Sequence, residues 1–94
     1  MKINEIKDGT RKVDLTAKLV AKEEAREVNT RNGRTKVCNA TLEDETGTIV
    51  LVLWGDEVDQ VKEGDTVKIE NGFAKEWNGT LQVSAGRYGK LVVE

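Results

Sequence analysis

The sequence predicts an all-β fold, a five-stranded Greek-key barrel with one short helix between the third and fourth strands. Apolar and polar residues alternate with a period of two in successive segments, which is the pattern of strands that bury one face. The dipeptide Asn-Gly, which suits tight hairpin turns, occurs three times. A single short segment of helical character separates the first three strands from the last two.

The first two strands are predicted on either side of Asn32-Gly33. Apolar residues alternate with polar ones over 12–18, and we expect the chain to stay extended through 22–27 up to a two-residue hairpin tip at Asn32-Gly33. After the tip, the inner face of the second strand is formed by Cys38, Ala40 and Leu42.

The third strand follows a tight turn at 44–47, where Gly47 is free to adopt a positive φ. Alternation then divides this strand into two faces. Its inner residues are Ile49, Leu51 and Leu53, and its outward residues are Val50, Val52 and Trp54.

A short helix over 57–61 is predicted next, capped by Asp56, because Asp is a favoured N-cap residue. The fourth strand runs from Thr66 to Trp77, with a bulge or bend at Asn71-Gly72, since a glycine inside a strand commonly marks one. The inward residues of this strand are Val67 and Ile69. The third Asn-Gly, at 78–79, leads into the fifth strand over 80–85, whose inward residues are Leu81, Val83 and Ala85.

Both ends of the chain should add to the barrel. Ile3 and Ile6 can pack one helical turn against the sheet, and 91–93 can form a short edge strand. Three strands in a meander, a connecting helix and a final hairpin follow the order of an OB-fold. A β-sandwich would need about seven strands. We therefore expect residues 1–94 to form a single OB-fold nucleic-acid-binding domain.

Composition excludes several kinds of site. The chain has no His, and its single Cys38, expected to be a buried thiol, cannot form a disulfide within the chain. No nucleophile–base pair or metal-ligand cluster is evident, so we expect neither an enzyme nor a cofactor. No run of about 18 apolar residues is present, so we expect a cytoplasmic, nucleoid-associated protein without membrane or small-molecule partners.

The aromatic residues indicate a binding surface. The chain has four, and three of them are Trp54, Phe73 and Trp77. In an extended strand Phe73, Lys75 and Trp77 project from the same face, which then presents a cation between two rings. Rings stack on any base, and a lysine can hold a phosphate. The alternative is that the rings belong to the core.

Basic residues cluster where the ligand-binding loops of an OB-fold lie. Arg31, Arg34 and Lys36 surround the first hairpin tip, Lys75 precedes the last one, and Arg87 and Lys90 follow the fifth strand. The acidic residues gather elsewhere, at 43–45, 56–59 and 63–65. The domain, with a net charge of −2, can therefore be basic along one groove. Tyr88 could be a further stacking residue there, or could cover the bottom of the barrel.

Three segments carry a family resemblance. Residues 44–55, which form the turn and a strand ending in Trp-Gly, resemble the corresponding signature of replication protein A and archaeal single-stranded DNA-binding proteins. Residues 61–72 and the opening segment 3–9 are similar to the same proteins. The resemblance places Trp54, Phe73 and Trp77 on the stacking positions of that family. Such proteins often carry a C-terminal tail that this sequence lacks, so we expect either a short paralogue or one domain of a longer polypeptide.

The resemblance implies a non-catalytic, archaeal, single-stranded DNA-binding domain of replication, repair or recombination. It also implies that other replication or repair proteins are partners. Two further interpretations stay open. One is a protein-interaction OB-fold, whose aromatic face packs against a partner, and the other is an RNA-binding OB-fold of the anticodon-recognition kind.

Overall fold

The computed structural model describes residues 1–31, 33–85 and 89–94. In chain order, the described elements are a 3₁₀ turn Ile3–Glu5, β1 Arg11–Lys22, β2 Arg26–Thr30, β3 Gly33–Asp44, β4 Gly47–Trp54, α1 Glu57–Gln60, β5 Thr66–Trp77, β6 Thr80–Ser84 and β7 Lys90–Val93. The five strands predicted from the sequence correspond to β1, β3, β4, β5 and β6. The predicted edge strand corresponds to β7.

Five strands close into a barrel in the order β1-β3-β4-β6-β5, and β5 returns to pair with β1. Neighbouring strands are antiparallel except β4 and β6, which run parallel through the pairs Val50–Gln82 and Leu51–Val83. The helix α1 lies between β4 and β5 in the chain. This arrangement confirms the predicted all-β class and the OB-fold. β2 extends β3 as a hairpin beyond the barrel, and β7 pairs with β5.

Aliphatic side chains from all five barrel strands fill the interior. The largest fully buried ones are Leu15, Leu19, Leu42, Leu51, Leu53 and Ile69. The inner faces predicted for β4 and β5 are confirmed, and so is the packing of Ile3 and Ile6 against the core. On β6, Val83 is buried, whereas Leu81 is only partly buried against the core, and Ala85, directly after the strand, is buried as well.

The two later Asn-Gly pairs behave as predicted. Val13 pairs with Gly72 and Leu15 with Ile69, so β5 holds one extra residue there and forms a bulge, with Asn71 at φ 54°. A Cβ on Gly72 would lie 2.6 Å from Ile69 Cγ2, so only glycine fits this bulge without displacement of its neighbour. At the other pair, Asn78 and Gly79 have φ values of 49° and 81°, as a type I′ hairpin turn requires.

The first hairpin differs from the prediction in two places. The chain is not continuously extended over 22–27, because β1 ends at Lys22 and β2 begins at Arg26. Instead, Glu23 binds β3: its N–H donates to the carbonyl oxygen of Asn39 at 2.9 Å, and its carbonyl oxygen lies 2.9 Å from the Cys38 Sγ. The tip also lies one residue earlier than predicted, since Gly33 pairs with Thr30 as the first residue of β3. Asn32 lies outside the described residues.

The predicted helix cap is wrong. The side chain of Asp56 makes no capping hydrogen bond, and its backbone is already helical, with φ −64° and ψ −22°. An N-cap residue normally has extended dihedral angles, which point its side chain toward the first free N–H groups. The neighbouring Glu57 accepts a hydrogen bond from the Trp54 N–H at 3.0 Å instead, and the helix ends at Gln60.

The carboxylate of Asp44 fastens the N-terminal segment to the turn between β3 and β4. It accepts hydrogen bonds from the Ile3 N–H at 2.8 Å, the Thr46 N–H at 2.7 Å, the Thr46 hydroxyl at 2.6 Å and the Gly47 N–H at 3.2 Å. Partial burial raises the pKa of the Asp44 carboxyl, but these four hydrogen bonds outweigh burial and hold the pKa below its ordinary value.

Candidate nucleic-acid interface

The three rings singled out in the sequence lie outside the core, on the outer wall of the barrel. Trp54 is 45% exposed, Phe73 40% and Trp77 61%, whereas Ala74 between the latter two is fully buried. The alternation that the sequence predicts for 73–77 is therefore present. The alternative in which these rings form the core is wrong.

A groove runs across β3, β4, β6 and β5 on this wall. Trp54 and Phe73 line one open pocket of about 190 Å³, and Trp54 and Trp77 line the next, of about 420 Å³. A third pocket of about 310 Å³ lies beyond Trp77. Gln82 lines all three, so they form one continuous channel, which we call the aromatic groove.

Strand pairing explains why these side chains share one wall. Residues that face each other across neighbouring strands point to the same side of the sheet. Lys75 pairs with Gln82 of β6, and Gln82 pairs in turn with Val50 of β4. Phe73 lies opposite Ser84, and Trp77 opposite Thr80. The short parallel pairing of β4 with β6 thus brings Trp54 next to two rings that lie about twenty residues later in the chain.

Two cations lie in the aromatic groove. Lys75 lines the pocket with Trp54 and Phe73, and Arg26 lines the pocket with Trp54 and Trp77. Neither forms an ion pair with any of the described residues. Arg26 was not singled out in the sequence. Its pairing with Val37, which in turn pairs with Trp54, puts it on the groove side of the hairpin.

The cations predicted at the first hairpin tip line none of the three pockets of the aromatic groove. Arg31 is exposed in the turn between β2 and β3. Arg34 and Lys36 alternate with Thr35 and Val37 along β3, so they point to the face of the hairpin opposite Arg26. There Arg34 pairs with Glu27 at 3.2 Å and Lys36 with Asp59 at 3.5 Å. Contact of these three residues with nucleic acid stays a prediction.

The remaining predicted site residues lie near the C-terminal end. Arg87 and Tyr88 fall outside the described residues. Lys90 begins β7, where it pairs with Glu70, and it lines none of the three pockets of the aromatic groove.

The thiol of Cys38 is buried in the core behind the groove. Burial raises the pKa of this thiol, the nearby Lys22 lowers it, and Glu23 raises it again, so its pKa stays above the ordinary value. The thiol therefore stays protonated at neutral pH, as the sequence predicts for a buried cysteine.

A barrel of this topology with exposed rings along one groove invites comparison with known domains. Residues 24–91 match the family described as OB-fold nucleic acid binding domain. The chain belongs to this family.

Two relatives of this OB-fold domain are archaeal proteins. The domain is 36% identical over 90 residues to the single-stranded DNA binding protein Ssb of Saccharolobus solfataricus. This match covers 96% of this chain and 61% of that protein. The domain is 32% identical over 96 residues to replication factor A of Methanothermobacter thermautotrophicus, covering 98% of this chain and 12% of that protein. The resemblance seen in the sequence is confirmed, and the chain spans less than two thirds of either relative.

A solved structure confirms the fold of the OB-fold domain. The OB domain of a Thermoplasma acidophilum protein superposes with a TM-score of 0.85 at 22% identity, covering 100% of this chain and 85% of that one. Among the residues described, no helix is both long and apolar enough to cross a membrane.

Proposed function

We propose that this OB-fold domain binds single-stranded DNA with little dependence on sequence. Bases stack on Trp54, Phe73 and Trp77, while Lys75 and Arg26 hold the phosphates between them. The observation that carries the proposal is the exposure of these three rings along one continuous groove. Isolated strands can present unstacked bases to such rings, and each stacked base contributes about 1–3 kcal/mol.

The two relatives support a role in replication, since one is a single-stranded DNA binding protein and the other a replication factor A. Binding alone requires no catalytic group, and we propose no reaction for the domain. Other replication or repair proteins are proposed as further partners, through surfaces away from the groove.

The charge distribution is compatible with a ligand that carries phosphates, despite the net charge of −2. The acids at 56–59 lie at and around α1, which is not part of the groove, and one of them, Asp59, already pairs with Lys36. Beside the rings, Lys75 and Arg26 form no ion pair with any residue in the described part of the chain. A field confined to one cleft attracts an anionic ligand even where the whole molecule has the same sign as the ligand.

A fluorescence titration tests the proposal. Both tryptophans line the groove, so a dT oligomer of about twelve nucleotides should quench their emission strongly at moderate salt. The same titration with oligo-U separates DNA from RNA, because the 2′-hydroxyl is the group that distinguishes them. Unchanged emission with both oligomers, together with no change in anisotropy of a labelled oligomer, would overturn the proposal and favour a protein-interaction OB-fold.

A further inference from the structure

The pocket beyond Trp77 differs in chemistry from the rest of the groove. It is open, has a volume of about 310 Å³ and lies between Trp77 and the end of β1. This is at the small end of the range typical of ligand pockets, about 300–1,000 Å³. We call it the Trp77 pocket. It is lined by Ala21, Glu23, Asn39, Ala40, Thr41, Val50, Trp77, Asn78, Thr80 and Gln82.

Several polar residues line the Trp77 pocket. The amides of Asn39, Asn78 and Gln82 and the carboxylate of Glu23 make no hydrogen bond or ion pair with any of the residues that the structure describes. All of them are in reach of solvent, because no buried polar atom among the described residues lacks a partner. Their hydrogen-bonding capacity is therefore available to a ligand.

Among the described residues, the lining of the Trp77 pocket includes one acid, Glu23, and no Lys or Arg. Lys75 and Arg26 line the two neighbouring pockets but not this one. A phosphate placed beside Glu23 would meet a like charge, so the pocket disfavours the backbone of a strand. A neutral group with N–H donors is favoured, because an ionised carboxylate only accepts hydrogen bonds.

Among the four DNA bases, guanine presents two N–H donors side by side, at N1 and N2. One carboxylate can accept hydrogen bonds from both donors, one at each of its oxygens. Thymine offers a single N–H between two carbonyl oxygens, and a carboxylate repels both of those oxygens. The guanine O6 needs a donor, and the amide of Asn39 or Gln82 can supply one.

We infer that the Trp77 pocket selects guanine at one position of the bound strand, through Glu23 and with the base stacked on Trp77. The inference rests on the proposed single-stranded DNA binding and deepens it. One position of the strand carries a base preference, while the positions at Trp54 and Phe73 accept any base.

The test compares guanine with hypoxanthine, which differs from it only in lacking the N2 amino group, so that the two stack almost alike. Unlabelled dT pentamers with one guanine or one hypoxanthine at each position compete with a labelled dT dodecamer, read by anisotropy. Guanine should compete about three- to tenfold better at a single position, the worth of one hydrogen bond. In Glu23→Gln this difference should disappear. In Glu24→Gln, a matched change at a neighbouring exposed acid that does not line the pocket, it should persist.

The possible results distinguish the guanine preference from the proposed single-stranded DNA binding on which it rests. Equal competition by guanine and hypoxanthine at all five positions, with the dT dodecamer still bound, overturns the guanine preference alone. A preference that survives in Glu23→Gln assigns the discrimination to another group and overturns the role of Glu23. Failure of the wild-type domain to bind the dT dodecamer at all overturns the proposed function, and the guanine pocket with it. Thermal melts of both variants establish that they are folded.

Discussion

At the scale of single residues, the position of each ring relative to the core decides whether its replacement by Ala lowers the binding affinity or the free energy of unfolding. Trp54, Phe73 and Trp77 are not part of the core cluster, so their truncation leaves no internal cavity. Each ring→Ala substitution should weaken binding of a dT dodecamer by about 1–3 kcal/mol. The free energy of unfolding should change by about 1 kcal/mol or less, as for surface substitutions. Anisotropy titrations and thermal melts of the same samples measure both quantities.

Val20→Ala provides the matched control, because Val20 is an exposed apolar residue that lines none of the pockets of the aromatic groove. It should leave binding unchanged. Loss of about 3–5 kcal/mol of stability in all three ring variants would instead be the signature of buried rings and would contradict the groove.

Asp44 makes stability depend on pH in the acid range. Its pKa is lowered in the folded state, so the carboxylate stabilises the fold above its unfolded pKa of about 3.9. That contribution is lost as the pH falls through the lower, folded pKa. Asp44→Asn replaces one acceptor oxygen by a donor and should destabilise the domain by about 1–2 kcal/mol at pH 7. The difference between wild type and variant should shrink toward zero in urea unfolding at the acid end. A constant difference across pH would show that the charge of Asp44 does not contribute.

At the scale of elements, alternation along the β2–β3 hairpin sorts the cations between two faces. Arg26 lies on the groove side, and Arg34 on the opposite side, paired with Glu27. Each phosphate held on a single strand contributes about −0.7 to the slope of log affinity against log salt. With Lys75 and Arg26 each holding one phosphate, the wild-type slope should be about −1.4, and steeper by about 0.7 for each further phosphate engaged. Arg26→Ala and Lys75→Ala should each reduce its magnitude by about 0.7.

Arg34→Ala removes the same charge from the opposite face of the same hairpin, so it separates phosphate contact in the groove from the contact that the sequence predicts for Arg34. It should change the salt slope much less than Arg26→Ala does. The reverse order would mean that the strand passes over the back of the hairpin, along Arg34 and Lys36. A wild-type slope near zero would show that none of these cations contacts phosphate.

Features set by the local sequence are predicted better than features set by contacts between elements. Alternation and turn chemistry are local, so the inner faces of β4 and β5, the bulge at Asn71-Gly72 and the exposure of Phe73 and Trp77 follow from the sequence. The cap at Asp56 does not, because residue type alone does not fix the backbone angles, and Asp56 already has helical ones, with no capping hydrogen bond from its side chain. Arg26 was missed for a related reason. Its face depends on the break at 23–25, which is fixed by hydrogen bonds to β3.

At the scale of the whole molecule, closure of the barrel puts the two tryptophans, Phe73 and Lys75 on one wall, though they come from strands separated by the helix. The wall carries exposed rings, so it suits a strand whose bases are free to stack. One OB-fold covers at least about four nucleotides, and we expect a minimal site of about four to five.

In a duplex the bases are already stacked and paired, so they cannot reach Trp54 or Trp77. Unlabelled duplex should therefore compete far more weakly than unlabelled dT dodecamer against a labelled dT dodecamer at moderate salt. Equal competition would mean that the domain recognises phosphates alone, and would reject stacking even for a domain that binds DNA.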